Sequence, residues 1–443
     1  MLFQFLKYIK PIWYFNLPQK NGNVVFPNPD NLPQEVLKLC NPHLYEGEKA
    51  RAADIAWQAL QKGFIGDGDF TYFNTKHSVK DEYTFIRTYF KGIWVLYILV
   101  IRLLSFKNPI REILGFWNTR KVANENVFKN PVNYKNWKTF VSPLLKETPK
   151  VSVVIPTLNR YTYLKDVLKD LEKQDYKNFD VIVVDQSAPF DKDFYNDFKL
   201  DIKLIYQEEK ALWLARNQAI ETSDADWLLL FDDDSRVEAD WISNHLKCVD
   251  FFKATISSGV SISKTGDKVP ENYSYFRVSD QLDTGNVLIH RKVFTTIGLF
   301  DRQFEKQRMG DGAFGLRAYL AGFLNISNPY AERLHLKVSD GGLRQMGSWD
   351  AFRPVNWWAP RPVPSVLYYY RMFYGSKKAK LALLQSLPAS MIPYKLKQQK
   401  KLVPLAALSA FIMAPLLLLQ ASRSWIKASK KLKNGPIIQK LTN

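Results

Sequence analysis

Residues 227–234 read WLLLFDDD, an uninterrupted apolar run that stops at three consecutive aspartates. A short apolar run bounded in this way predicts a strand that is buried on both faces. Similar runs precede it at 151–155 (VSVVI), 181–184 and 202–206, and helical apolar patterns lie between them at 161–174 and 211–222. The alternation predicts an α/β fold in which helices cover both faces of a mostly parallel sheet.

The polar residues that directly follow these strands are the first candidates for a site, because open α/β sheets bind ligands beyond the carboxyl ends of their strands. They are 156–160 (PTLNR), Asp185 and 232–234. No GxGxxG motif follows the first strand, and no GxxxxGK[ST] motif occurs in the chain. Both absences argue against a dinucleotide-binding dehydrogenase and a P-loop NTPase.

Asp232, Asp233 and Asp234 repel one another unless a cation neutralises them. A hard divalent ion such as Mg²⁺ or Mn²⁺, bound by one or two carboxylates and a substrate diphosphate, is one explanation. The other is a solvated turn in which Asp234 or Ser235 caps the next helix. The local sequence leaves both open.

Five segments, in order over about 190 residues, resemble glycosyltransferase family 2, whose domain has the GT-A fold. The similarity is to the membrane-associated, polysaccharide-biosynthesis type of that family. The segments are VSVVIPTLNR (151–160), VIVVDQS (181–187), LARNQAIETSDADWLLLFDDDSRVEADWI (214–242), DTGNVLIHRKVFTTIGLFDRQF (283–304) and MGDGAFGLRAYLAGF (309–323).

The resemblance implies a metal-dependent, inverting transfer of a sugar from a nucleotide-sugar donor to a hydroxyl of a glycan or lipid-linked glycan. It places the donor contacts at Pro156, Thr157, Asn159, Arg160, Asp185, Arg216, Asp232 and Asp233. It assigns the divalent ion, Mn²⁺ or Mg²⁺, to Asp234 and Asp232, with His335 as a late third ligand. A lone histidine in a strand is otherwise more often structural. The implied acceptor side comprises Gly285, Asn286 and Gly310.

Asp311, in the last of the five segments, matches the family's general base. A sugar hydroxyl is a poor nucleophile, and a positioned carboxylate can take its proton as attack develops. Without the family, an aspartate at the start of a helix is as readily explained as an N-cap that favours the helix dipole. The helix departs from the family pattern G-E-D-x-E-L, since Gly310 and Ala313 stand where acids are usual. These losses predict altered acceptor contacts and leave a weakened activity open.

A second glycine-rich stretch, GGLR at 341–344, has two interpretations. It is either a loop over the donor, with Arg344 near phosphate, or a plain surface loop.

Charge is distributed unevenly along the chain. The net charge is +19, yet residues 351–443 hold 16 Lys and Arg and no acidic residue, so 1–350 has a net charge of only +3. Within this tail, 402–419 reads LVPLAALSAFIMAPLLLL, with basic residues on both sides. A helix of this length covers about 27 Å, just under the hydrocarbon core, and Pro415 would kink or break it. We expect a membrane-associating segment that spans or lies in the interface; a buried core helix is the alternative.

Residues 1–149 show helical patterns but no catalytic motif. The apolar run at 92–101 is too short to span a bilayer and stops at Arg102, which indicates a core or interfacial helix. The first residues lack the apolar core and cleavage site of a signal peptide. Cys40 and Cys248 form no CxxC motif, which excludes a disulfide framework and a cysteine-based zinc site as organising features.

We therefore expect a mostly helical extension at 1–149, a GT-A domain at 150–350 and a helical, basic, apolar membrane-associating region at 351–443. The expected location is the cytoplasmic face of the cell (inner) membrane, with one C-terminal transmembrane segment as an option. The expected partners are a nucleotide sugar, a glycan or lipid-linked glycan and anionic lipids, with no nucleic acid. The alternatives are an inactive GT-A scaffold at the membrane, a nucleic-acid-binding protein and a nucleotidyltransferase. The confinement of charge beside an apolar run argues against nucleic acid, and PTLNR is not the Gly-rich phosphate loop of a nucleotidyltransferase.

Overall fold

The computed structural model divides the chain into two compact units. The first comprises 1–135 and 374–385, and the second comprises 136–373 and 386–443. The structure describes the whole chain except 67, 72, 264–268, 339–340, 344–350, 353–355, 392–402 and 442–443.

The longer secondary-structure elements that the structure describes in the first unit are helices. Its helices are α1 (Leu6–Ile9), α2 (Gln34–Leu37), α3 (Glu48–Gln61), α4 (Val79–Tyr89), α5 (Gly92–Leu104) and α6 (Pro109–Asn118). Its core is rich in aromatic side chains: Phe3 stacks on Phe85 with ring centroids 3.8 Å apart, and Trp57 meets Phe85 edge-on at 5.2 Å. Ser78 caps α4 by accepting a hydrogen bond from the Asp81 backbone, as an N-cap serine should.

In the part of the chain that the structure describes, the second unit is built around a nine-stranded sheet. Its strands are β1 (Val151–Thr157), β2 (Phe179–Asp185), β3 (Ile202–Tyr206), β4 (Trp227–Phe231), β5 (Ser235–Arg236), β6 (Ile256–Ile262), β7 (Arg277–Val278), β8 (Asn286–His290) and β9 (Asn325–His335). The spatial order is β3-β2-β1-β4-β8-β6-β9-β5, and β7 also pairs with β9. The four strands predicted from apolar runs are all present.

Strand direction divides the sheet into two halves. Strands β3, β2, β1 and β4 are parallel, as predicted, whereas β8 runs antiparallel to β4 and β6 runs antiparallel to β8. Strand β9 is parallel to β6 and antiparallel to β5 and β7. The sheet is therefore mixed rather than mostly parallel. An apolar strand that is buried on both faces, such as β8, has the same sequence pattern in either direction, so its pattern could not reveal this.

Helices cover the sheet and continue into the tail. They are α7 (Pro143–Glu147), α8 (Tyr161–Glu172), α9 (Leu212–Thr222), α10 (Trp241–Phe251), α11 (Arg291–Ile297), α12 (Gly310–Leu320), α13 (Pro364–Ala389), α14 (Val403–Ile412) and α15 (Ala414–Asn434). The predicted apolar face of α8 is buried. Residues 136–149 belong to the second unit: Ser142 donates a 2.5 Å hydrogen bond to Asp250 on α10.

The apolar run predicted at 402–419 is not one continuous helix. Helix α14 ends at Ile412, and α15 begins at Ala414 with Pro415 in its first turn, where a missing backbone N–H costs no hydrogen bond. Within the part of the chain that the structure describes, no helix is both long and apolar enough to cross a membrane.

The last described residues lie against the turn that precedes α12. The backbone N–H of Leu299 donates to Gln439 at 2.8 Å, and that of Arg302 donates to Ile437 at 3.0 Å. Asp301 accepts a hydrogen bond from the Ile437 backbone at 2.9 Å. The end of the tail is thereby attached to the same unit as the sheet.

Candidate functional site

Three predicted metal ligands lie together at the carboxyl end of β4. Asp232 and Asp234 follow that strand directly, and β5 then pairs with the end of β9 so that Ser235 is opposite His335. This pairing brings the His335 Nε2 atom to 3.2 Å from Asp234 Oδ1. One ligand atom each from Asp232, Asp234 and His335 lies within 4.8 Å of the others.

The Asp234 side chain is suited to a cation. Its Oδ2 atom is buried and accepts no hydrogen bond from the residues that the structure describes, although Arg160 Nη1 lies 3.3 Å away. Burial is the largest single effect and opposes ionisation, but the hydrogen bond with His335 and the nearby His335 and Arg160 together outweigh it and lower the pKa of Asp234. Two carboxylates and an imidazole match the donor preferences of Mn²⁺, and the carboxylates alone match Mg²⁺. The residues present therefore fit a divalent ion.

Two buried arginines hold Asp232. Arg216 donates to its Oδ1 at 3.0 Å, and Arg333 donates to its Oδ2 at 2.8 Å. Burial opposes ionisation of Asp232, but Arg333 and Arg216 outweigh it and lower its pKa below the usual range. Arg333 also donates to Asp283 at 2.8 Å. Asp232 is thus kept ionised in a fixed position.

Arg333 was not identified from the sequence. It lies two residues before His335 in β9, so both side chains are on the same face of the strand. The alternation in the segment RLH (333–335) was the available sequence signal for Arg333. It indicates a site only when the end of β9 is known to lie beside the end of β4.

Asp233 is buried and is bonded to residues at the end of β1. Its Oδ2 accepts a hydrogen bond from Thr157 at 2.9 Å, and its Oδ1 accepts one from Arg160 at 2.8 Å. Burial raises the pKa of Asp233 to about 6, against the opposing effect of Arg160. Three predicted donor contacts are therefore bonded to one another, and they tie the end of β1 to the acidic loop.

Asp185 has a similarly closed set of partners at the end of β2. Its Oδ2 accepts hydrogen bonds from Tyr161 at 2.7 Å and Tyr195 at 2.8 Å, and its Oδ1 accepts one from the Ser187 backbone at 2.8 Å. The side chain is fully buried. Because the side chain is fully buried, a base or ribose contact would require neighbouring residues to move.

The loop after β1 is hydrogen-bonded to the residues that follow β2. Pro156 is buried within the strand, and Asn159 is exposed with a left-handed backbone (φ 52°). The Asn159 backbone N–H donates to Ser187 at 2.8 Å, and its side-chain oxygen accepts from Ala188 at 2.9 Å. The loops at the ends of β1 and β2 are therefore hydrogen-bonded to each other.

The glycine-rich stretch packs on the same loop. Gly342 donates a 2.7 Å backbone hydrogen bond to Leu158, and a Cβ at Gly342 would lie 2.3 Å from the Arg160 guanidinium carbon. Both Gly341 and Gly342 have positive φ angles, which glycine adopts without strain. Arg344 lies outside the described residues.

Asp311 lies in the first turn of α12 and is not its N-cap, which is Met309. Its Oδ1 accepts a 2.7 Å hydrogen bond from the Gly312 backbone. Burial raises the pKa of Asp311, against smaller opposing effects that include the charge of Arg216. Arg216 thus interacts electrostatically with both Asp311 and Asp232. A carboxylate with a raised pKa is a stronger base than an ordinary one.

The predicted acceptor residues next to β8 have other places in the structure. Asn286 is fully buried, accepts from Trp241 at 2.9 Å and donates to the carbonyls of Val260 and Ala331 at 3.2 and 2.9 Å. It cannot meet an acceptor sugar there, because its amide is used to join strands and α10. Gly285 lies directly against the predicted metal ligand Asp232, because a Cβ at this position would be 2.0 Å from Asp232 Oδ2.

Comparison with known proteins agrees with this arrangement of residues. The model of the family described as "Glycosyl transferase family 2" matches residues 152–320, which include both the acidic loop and Asp311. Residues 152–320 form a glycosyltransferase family 2 domain.

Curated relatives of the family 2 domain are also glycosyltransferases by name. Glycosyltransferase GlyA of Streptococcus pneumoniae is 26% identical over 167 residues, which is 36% of this chain and 22% of that protein. EpsH of Bacillus subtilis, which has a provisional glycosyltransferase name, is 32% identical over 105 residues, 23% of this chain and 30% of that protein. The chain thus matches less than a third of the length of either relative.

Two solved structures resemble the chain at low identity. Staphylococcus aureus TarS 1-349 in complex with UDP-GlcNAc is 18% identical, with 65% of this chain and 92% of that chain covered and a TM-score of 0.41. The mannosyltransferase PcManGT from Pyrobaculum calidifontis, in complex with GDP-Man and Mn²⁺, is 15% identical, with 68% and 93% covered and a TM-score of 0.41.

The family 2 domain departs from its usual pattern at Gly310, and the structure shows what fills the space. A Cβ at Gly310 would lie 2.3 Å from Trp213 Cζ2. The Trp213 ring stacks on Phe300 at 5.1 Å and lies 5.5 Å from the guanidinium carbon of Arg216. A glutamate at 310 would therefore displace an indole that supports Arg216. Ala313, the second missing acid, is buried.

Proposed function

We propose that this protein transfers a sugar from a nucleotide-sugar donor to a hydroxyl of a glycan or lipid-linked glycan, with inversion at the anomeric carbon. The observation that carries the proposal is the convergence of Asp232, Asp234 and His335 at the carboxyl end of β4, with Arg216 bonded to Asp232. Family 2 membership supports the reaction class.

Each residue group has a distinct part in this proposal. Asp232, Asp234 and His335 would hold Mn²⁺ or Mg²⁺, which when bound neutralises the developing charge of a nucleoside diphosphate leaving group. Arg216 and Arg333 orient Asp232 and keep it ionised. Asp311 accepts the proton of the acceptor hydroxyl as that oxygen attacks the anomeric carbon, so no protein nucleophile is needed.

A donor screen tests the proposal directly. Purified full-length protein is titrated with nucleoside diphosphates and nucleotide sugars, with and without Mn²⁺, and its unfolding midpoint is recorded. A ligand that binds only the folded state raises the midpoint by mass action, so at least one nucleotide should give a Mn²⁺-dependent increase. If no nucleotide stabilises the protein under either condition, the proposal is wrong.

Asp311→Asn separates chemistry from binding. The amide cannot act as a base, so transfer should fall by about 100-fold or more while donor binding stays unchanged. Asp197→Asn is the matched control, because Asp197 is exposed. Because burial raises the pKa of Asp311, the unmodified enzyme should lose activity as the pH falls towards a value above the ordinary aspartate range. Full transfer by Asp311→Asn would contradict the base assignment.

We also propose that the enzyme works at the cytoplasmic face of the membrane and that its tail associates with anionic lipids. The support is the 16 basic and no acidic residues of 351–443, together with exposed Lys427, Lys430 and Lys433 on α15. Anionic headgroups attract each such lysine by about 1 kcal/mol. Reversing these three charges should release the protein from vesicles that contain phosphatidylglycerol. Reversal of exposed Lys192, Lys199 and Lys292 is the control, and equal loss in both variants would contradict the assignment.

An inactive membrane scaffold is the second candidate, favoured by the missing acids at Gly310 and Ala313. It predicts nucleotide binding without transfer or donor hydrolysis in the presence of Mn²⁺. Binding of DNA that persists after charge reversal of the α15 lysines would instead support a nucleic-acid-binding protein.

A further inference from the structure

Helices α5 and α6, with the loop between them, expose an unusual number of large apolar side chains. We refer to residues 91–121 as the α5–α6 hairpin. On α5 the exposed residues are Ile93, Leu96, Val100 and Leu104, which recur at helical spacing along one stripe. Leu104 is 74% exposed, and Phe106 in the loop is 98% exposed. A protein surface in contact with water alone rarely has such a stripe.

Helix α6 has the same character. Its exposed apolar residues are Ile110, Ile113, Leu114 and Trp117, at positions i, i+3, i+4 and i+7. This spacing defines one face of a helix, and in a surface helix of a soluble protein that face is turned towards the core. Here it is turned away from the core.

One pair of opposite charges between the two helices is on the inside. Arg102 of α5 donates two hydrogen bonds to Glu112 of α6, at 2.8 and 2.5 Å, and Glu112 also accepts one from Tyr83 at 3.1 Å. Glu112 is 2% exposed. An ordinary pair of amphipathic helices in water buries its apolar side chains. This hairpin instead exposes apolar side chains and buries the Arg102–Glu112 pair.

Close packing on α4 fixes this orientation. A Cβ at Gly115 would lie 2.9 Å from Val79 Cγ1, so α6 approaches α4 through a glycine. Arg87 of α4 donates 2.9 Å hydrogen bonds to the Thr119 side chain and the Phe116 carbonyl. Rotating the helices to bury their apolar stripes would break these contacts and the Arg102–Glu112 pair.

The charges that remain at the surface of the hairpin are all positive. Glu112 is the single acidic residue of 91–121, and it is paired. The exposed charged residues are Lys91, Lys107, Arg111, Arg120 and Lys121. Long basic side chains beside an apolar stripe can extend to anionic headgroups while their stems cover apolar surface. A second copy of the chain would bring the same positive charges together, which disfavours self-association through this surface.

We propose that the α5–α6 hairpin lies in the interface of an anionic bilayer, with its apolar stripes against the acyl chains and its basic residues at the headgroups. Its helices have 13 and 10 residues. They are therefore about 20 and 15 Å long, shorter than the hydrocarbon core of about 30 Å, which suits an interfacial anchor and not a span. The proposal is independent of the reaction at the sheet and of the basic tail.

A fluorescent label distinguishes the hairpin from the tail. An environment-sensitive dye is attached to Phe106→Cys in the full-length protein, and to Glu35→Cys as an exposed control in the same unit. Native Cys40 and Cys248 can stay, because burial raises their thiol pKa to about 11 and about 12 and leaves little reactive thiolate. Vesicles of phosphatidylcholine and phosphatidylglycerol are added, with or without brominated acyl chains.

The dye at 106 should shift to the blue, brighten several-fold and be quenched by the brominated chains, while the dye at 35 should not change. A dye at 106 that stays water-like while the protein sediments with vesicles would overturn the proposal, because the tail alone would then account for binding. A blue shift without vesicles that grows with protein concentration would also overturn it, in favour of a second copy.

A pair of substitutions provides a measurement without a label. Leu104→Glu with Phe106→Glu changes two exposed side chains, so the fold should be retained, and the vesicle-bound fraction should fall several-fold. Leu44→Glu is the matched control, because Leu44 is 98% exposed and lies outside the hairpin. Equal binding by both variants would contradict the proposal.

Discussion

Gly285→Ala should damage the metal site without replacing any of its ligand residues. The added Cβ would lie 2.0 Å from Asp232 Oδ2 and 2.2 Å from Arg333 Nη1, and ordinary contact begins at 3.4 Å. The backbone of Gly285 has no positive φ angle, so alanine adds no backbone strain there. The effect should therefore arise from displacement of the Asp232 carboxylate and the Arg333 guanidinium, and not from the backbone.

The size of the effect follows from that displacement. Asp232 would have to move by about 1.4 Å, which is enough to break its 2.8 Å hydrogen bond with Arg333. A hydrogen bond to a charged group contributes about 1.5–3 kcal/mol. The Asp232 side chain is 27% exposed, so water compensates part of the loss and the lower end applies. We expect Mn²⁺ affinity to fall about tenfold.

Mn²⁺ binding can be measured by electron paramagnetic resonance on folded protein, with folding checked by circular dichroism. Gly92→Ala is the matched control, because a Cβ there meets no atom within 4 Å. The control should bind Mn²⁺ as the unmodified chain does. If Gly285→Ala also binds Mn²⁺ with unchanged affinity, then Asp232, in the position that it has in the structure, is not a ligand of the ion.

Three further predictions concern other parts of the chain. Gly310→Glu should lower the unfolding midpoint because its Cβ would overlap Trp213, and Trp213→Ala should restore part of the loss; additive effects in the double variant would refute this coupling. Burial raises the pKa of Asp54 to about 7, so its contribution to stability should be lost as the pH rises from about 4 to 7. The difference in unfolding free energy between the unmodified chain and Asp54→Asn should therefore decrease over that range, and a constant difference would count against the shift. Removal of residues 435–443 should lower the unfolding midpoint, because the turn before α12 loses its backbone partners, and an unchanged midpoint would show that this segment does not stabilise the unit.

Some features were already determined by local sequence. Apolar runs at 151–155 and 227–231 predicted two neighbouring strands, and the polar residues after them predicted where the site lies, because strand ends in a parallel sheet meet at one edge. The order of the family motifs predicted Asp232, Asp234 and Asp311 as site residues. Proline chemistry predicted the helix break at Pro415. The strands and the helix break depend on neighbours within a few residues, and the motifs are recognised by their residues and their order, so the sequence contains these signals.

Tertiary structure decided which side chains meet across long stretches of chain. Arg333 reaches Asp232, 101 residues away, only because β9 pairs with β5 in the register that places His335 opposite Ser235. Asn286 was predicted to contact the acceptor. It is instead buried, and its side chain hydrogen-bonds residues of three separate elements. The direction and register of strand pairing are properties of the assembled sheet, and a shift of one residue would turn every side chain to the opposite face. The sequence therefore determined which chemical groups are available to this protein, and the packing of distant strands decided which of them lie together.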